Sequence, residues 1–116
     1  MTRVDSTEFV ALTGTGLASA SIIAILEVAD RDVDNTVLSM GSPALPANTL
    51  KDASLLYAKA LLTDRYRFDG TFDASTTEYS HKGNTESMIS GYRAQALKLM
   101  QDEANKQIVW IQKANR

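Results

Sequence analysis

Apolar residues recur along this chain at intervals of three and four in three long stretches, the spacing of a helix with one buried face. In the first, Ile22, Ile25, Leu26, Ala29, Val33 and Val37 share a face and Gly41 is a natural stop, which predicts a long amphipathic helix over 22–40. In the second, Leu50, Ala53, Tyr57, Ala60 and Leu61 form a stripe that Leu55, Leu56, Ala58 and Leu62 widen until little polar surface is left. A helix apolar on most sides is buried on most sides, so 50–66 is predicted to be the central helix, with other segments wrapped around it. In the third, Met88, Ile89, Tyr92, Ala96, Leu99, Met100 and Ala104 oppose Arg93, Lys98, Asp102 and Lys106. A shorter group, Phe9, Val10 and Leu12, predicts a short N-terminal helix that Gly14 ends. The expected fold is all-α: a small helical bundle of three main helices plus a short N-terminal helix, in one domain over 1–116.

Capping signals place the helix starts. Asp5-x-x-Glu8 and Thr49-x-x-Asp52 have the spacing of capping boxes, Ser19 or Ser21 is suited to open the first long helix, and Asn84 or Thr85 the last. Glu27 and Arg31 stand four apart, acid first, in the order that favours an ion pair on a helix surface. Between the second and third long helices, 68–83 is predicted to protrude as a loop or hairpin around the turn dipeptide Asp69-Gly70. Its aromatics, Phe68, Phe72 and Tyr79, either fold back onto the bundle or insert into a neighbour, as anchors on a protruding loop do. Near the C-terminus Ile108-Val109-Trp110-Ile111 concentrates β-branched and aromatic residues, which suit either an extension of the last helix or an extended tail.

Composition narrows the chemistry. With 116 residues the chain can bury a core without metals or disulfides, and it has no cysteine to supply a disulfide, a thiolate ligand or a thiol nucleophile. The net charge of −2 gives no global field toward nucleic acid. Acids outnumber bases from Asp5 to Asp34, and bases outnumber acids from Lys82 to Arg116. No apolar run approaches the roughly 18 residues of a membrane span, and Met1-Thr2-Arg3 opens no signal-peptide core, so a soluble, unprocessed chain is expected.

Three stretches imitate functional motifs. Gly14-Thr15-Gly16-Leu17-Ala18-Ser19 resembles a dinucleotide-binding turn, but the third glycine is Ser19 and the segments downstream are helical, so a helix-breaking turn is expected instead. Asp30-Arg31-Asp32-Val33-Asp34-Asn35 resembles the start of a calcium loop, yet Asn35 stands where glycine is needed and Gly41 where the bidentate glutamate belongs. His81 is the sole histidine and has no nucleophile or paired ligand near it in sequence. No enzyme activity, metal or cofactor is therefore predicted. Arg65, Tyr66 and Arg67 make a basic, aromatic group at the exit of the central helix, suited to ending that helix, to a protein contact or to phosphate.

The order of these features resembles the head–tail connector (adaptor) proteins of long-tailed bacteriophages. The resemblance rests on the short N-terminal helix, the long helix 22–40, and Leu45-Pro46-x-x-x-Leu50-Lys51-x-Ala53 opening an alanine- and leucine-rich helix. An extended segment then leads to a final helix near Glu78-Tyr79-Ser80, and the pattern spans roughly Phe9 to Ala104. It implies a structural protein of the virion neck, in the host cytoplasm before assembly, that packs against copies of itself in a homo-oligomeric ring. Its implied partners are the portal protein on one side and a stopper or tail-completion protein on the other, with passing contact with DNA in the channel and none with a membrane. The residues singled out for such contacts are Arg65, Arg67, Phe68, Phe72, Tyr79 and Trp110. The alternative from another class is a small helical DNA-binding or regulatory protein, with Arg93 and Lys98 as its recognition residues.

Overall fold

The structure, a computed structural model, describes the backbone of residues 2–68 and 82–114 and the side chains of 2–65 and 86–106. Among the described residues four helices follow one another: α1 (Ser6–Thr13), α2 (Ser19–Ser39), α3 (Ala47–Phe68) and α4 (Lys82–Ala114). The described residues contain no strand. The fold is all-α, three long helices with a short one at the N-terminus. The predicted protrusion at 68–83 lies, but for its ends, outside the described residues.

The glycines end their helices as the sequence predicts. Gly14 is left-handed (φ 68°) and its N–H donates to the Val10 carbonyl at 2.7 Å, closing α1. After α2 the N–H of Gly41 (φ 89°) reaches the Leu38 carbonyl at 3.2 Å, and that of Ser42 reaches Val37 at 2.9 Å. This pair of bonds satisfies carbonyls that the helix leaves without partners. Ser42 is itself left-handed (φ 56°), a strained state for a residue with a Cβ.

The helix starts differ from expectation. Asp5 stands at the N-cap of α1 but its side chain makes no cap bond, so the capping box does not form. Ala18, not Ser19 or Ser21, precedes the first turn of α2, and its carbonyl accepts from Ile22 at 3.1 Å. Helix α3 begins at Ala47 on the carbonyl of Pro46, which accepts from Leu50 at 3.1 Å, while the Asn48 side chain accepts from the Thr49 N–H at 3.0 Å. Helix α4 starts at Lys82, ahead of Asn84 and Thr85. At α2 and α3 the carbonyls of Ala18 and Pro46 take the first helical bonds, and at α1 and α2 no side chain caps the start. Glu27 and Arg31 are both exposed and make no ion pair with each other.

The central helix is α3. From Ala53 to Asp64 not one of its residues is exposed. Its C-terminal half joins α1 and α2 in a cluster of Val4, Phe9, Ile22, Ile25, Leu26, Ala29, Ala58 and Leu62. Its N-terminal half joins α2 and α4 in a second cluster of Val33, Ala53, Ala96 and Met100, rimmed by Val37, Met40, Leu45, Leu50, Leu56 and Tyr57. The alanines of α3 let its neighbours approach closely, since interaxial distance follows side-chain size. Most of the predicted α2 and α4 faces are buried as expected, with Met88 an exception at 41% exposed.

Both α2 and α4 run antiparallel to α3. Val33 of α2 meets Ala53 in one cluster, and Ile22 meets Leu62 in the other. Likewise Met100 of α4 lies with Ala53, while Ile89 and Arg93 share a groove with Asp64. On that register α4 beyond residue 107 runs past the start of α3. The 33 residues of α4 amount to about 50 Å, in keeping with a long dimension of 60 Å.

A polar clamp fastens the N-terminal segment. Asp30 accepts from the backbone N–H of Arg3 at 3.1 Å and from the hydroxyl of Ser54 at 2.8 Å. The Arg3 guanidinium reaches the Asp30 carbonyl at 3.3 Å and the Asp34 carboxylate at 2.7 Å. Ser54 is 1% exposed, so without Asp30 its hydroxyl would be buried and unpaired. The clamp seats Val4, itself 1% exposed, over α2 and α3. Two further bonds tie the helices: Lys51 to Glu8 at 3.0 Å, and the Thr36 and Tyr57 hydroxyls at 3.1 Å.

Candidate docking surface

Helix α2 buries one side and shows apolar residues on the other. Ile22, Ile25, Leu26, Ala29 and Val33 point into the core, while Ile23 (43% exposed), Val28 and Leu38 (66%) face outward with Ala20 and Ala24. On α1, Leu12 is similarly open at 55%. Exposed apolar residues singly mean little, but contiguous ones mark interaction surfaces.

Two of these residues, Ala24 and Val28, line a groove. Between the N-terminal half of α2 and the C-terminal half of α3 lies an open depression of about 310 Å³, with Ala24, Ile25, Val28 and Leu61 along it. Ser21, Asp64 and Arg65 complete its lining. Asp64 also lines a second depression, between α3 and α4, with Glu86, Ile89, Ser90 and Arg93. The first is mainly apolar and the second mainly polar. Neither holds the nucleophile, base and orienting group of a catalytic constellation.

Of the six predicted contact residues the structure places one side chain, Arg65, exposed at the end of the apolar groove. Arg67 and Phe68 belong to the last turn of α3, and Trp110 to the C-terminal part of α4, by their backbone. Phe72 and Tyr79 lie outside the described residues, as does His81. The structure therefore separates Trp110 and Arg65 toward opposite ends of the bundle. Arg65 and Arg67 do not follow the helix but form part of it, because α3 continues to Phe68.

The motif-like stretches resolve into structure. Phe9 to Leu12 is helix and not strand, so Gly14-Thr15-Gly16 is the turn between α1 and α2 and no dinucleotide site is built there. Helix α2 runs unbroken through Asp30 to Asn35, and Asp30 and Asp34 hold Arg3. Among the described residues no cluster of three or more His, Asp or Glu is arranged to bind a metal. No helix among them is long and apolar enough to cross a membrane.

The residues that sequence reasoning missed are Ile23, Ala24 and Val28. Their signal was present: Ile23 and Val28 are apolar positions that fall off the 22–37 stripe. Compared with protein-family models, with curated proteins and with solved structures, the chain matches none.

Proposed function

We propose that the protein is a structural subunit that assembles into a ring, of the type that connects a phage portal to the stopper or tail. The observation that carries this reading is the arrangement around α3. A short helix and a long one precede it, Leu45-Pro46 leads into it, and a final long helix flanks it on the side away from α1. The Leu45-Pro46-x-x-x-Leu50-Lys51-x-Ala53 phrase serves that arrangement directly. Leu45 and Leu50 rim the second cluster, Ala53 lies inside it, and Lys51 holds Glu8. The outward apolar residues of α2 add to the case, because a ring subunit needs two different faces that fit each other.

In this reading the protein turns over no substrate and needs no cofactor. A DNA-binding role has less behind it, since Arg93 shares its depression with Asp64 and Glu86, whose charge opposes phosphate. The test is the solution mass at high concentration, with and without a portal protein. Closed oligomers are the expected result in at least one setting, and a strict monomer in both overturns the reading. Salt-dependent DNA binding by the isolated protein would favour the regulatory alternative.

A further inference from the structure

The open side of α2 carries a stripe of its own. Ala20, Ala24, Glu27, Arg31, Asp34 and Leu38 are all exposed, and they recur at intervals of four and three, the seam spacing of two helices packed side by side. The stripe runs for about 27 Å of helix. Leu38, at its end, is 66% exposed, and Ile23 flanks it at 43%. Glu27 and Arg31 stand at its centre. They are four apart in the favourable order, yet they do not bond each other, and neither has an ionic or hydrogen-bond partner among the described residues. Asp34 differs, since Arg3 holds it at 2.7 Å.

The stripe is complementary to itself in one orientation. Laid antiparallel on a second copy, about a two-fold axis at position 29, Glu27 meets the partner's Arg31 and Arg31 meets the partner's Glu27. The same axis sets Leu38 against the partner's Ala20, a residue small enough to receive it, and sets Asp34 with Arg3 against the partner's Ala24. A parallel pairing would bring Glu27 onto Glu27 and Arg31 onto Arg31, and facing like charges oppose it. With two acids to one base the stripe does not suit phosphate or an anionic lipid surface.

We infer that the free protein pairs with a second copy of itself through α2, antiparallel about a two-fold axis, with the Glu27–Arg31 contact made twice. This goes beyond the assembly reading, because a two-fold contact is the same patch on both copies, whereas a ring joins two different ones. Val28 and Leu61, in the groove beside the stripe, take no part in the pair. One helix pair of this length buries less than the about 1,200 Å² of stable complexes, so the pair is weak and forms with rising concentration.

Sedimentation equilibrium of the full-length chain over a concentration series tests this. The wild type should pass from monomer to dimer. Glu27→Arg and Arg31→Glu should each pair at least about tenfold more weakly, with helical circular dichroism and melting temperature unchanged, since both side chains are exposed. Mixed in equal amounts, these two variants should form a one-to-one pair, because one then presents two bases to the other's two acids. Both changes in one chain should restore self-pairing. Leu38→Asp tests the apolar end of the same contact and should weaken pairing without touching the ion pairs. A wild type monomeric throughout the series, single variants that pair like the wild type, or a mixture that does not pair overturns the inference. Each of these leaves the ring reading standing if closed oligomers still form with portal protein. Loss of those closed oligomers in the charge variants would put the stripe in the ring contact and also overturn the inference.

Discussion

The C-terminal half of α3 is packed against bulky side chains from α1 and α2, whereas its N-terminal half meets α4 through alanines and one methionine. Phe9, Leu26 and Val4 fill the first cluster and are almost wholly shielded from solvent. The second has Met100 as its largest fully buried member, and half-buried residues from Val37 to Tyr57 close it. Tyr57 packs against both clusters. The difference shows two ways of burying one helix: large residues delivered by a distant segment, or close approach of a neighbour over small ones. The second makes a thinner core with a softer rim.

The largest expected effect comes from emptying the bulky cluster. Phe9→Ala should lower unfolding stability by about 3–5 kcal/mol, because a fully buried ring leaves a cavity that the helices around it cannot close. Met100→Ala should cost less, toward the lower end of about 2–5 kcal/mol, since half-buried neighbours can settle into the space. Denaturant unfolding of both variants measures the contrast, and an equal or reversed order would break it. Next comes the clamp. Asp30→Ala strands the Ser54 hydroxyl and should cost about 1–3 kcal/mol, while Asp34→Ala, on a carboxylate 60% exposed, should cost under about 1 kcal/mol. A double-mutant cycle of Asp30 with Ser54 should show coupling. Smallest is Ser42→Gly, which relieves the left-handed strain at 56° but frees the unfolded chain, leaving a net change within about 1 kcal/mol. A loss well beyond that would mean the Ser42 side chain does more than tolerate its backbone.

Local patterning was enough to read the helices and their order. The α2 stripe, the all-round burial of α3 and the stops at Gly14 and Gly41 depend on neighbours within a few turns, and such information lies in short windows of sequence. The clamp was not legible. Arg3 finds Asp30 and Asp34 across 27 and 31 positions, and only the folded chain brings them together. Read locally, those acids are an exposed face and Arg3 is merely a residue near the start. Val4 was missed as a core residue for the same reason. Ile108 to Ile111 was ambiguous because β-branched and aromatic residues suit both helix and extended chain, and the backbone there is helical. The candidate surface is legible only in part: Arg65 stands out beside Tyr66 and Arg67, whereas the apolar residues on the back of α2 fall outside the periodic stripe that marks its buried face.

The clamp also has a consequence in time. Helices α2 and α3 are joined by only residues 40–46, so their pairing closes a small loop and can form early. The N-terminal segment has nothing to grip until that hairpin has set Asp30 beside Ser54. Its docking therefore belongs after the main folding barrier. The stability lost in Asp30→Ala should appear as faster unfolding, with the folding rate almost unchanged. In the life of a single molecule, the first few residues are the last to arrive and the first to leave.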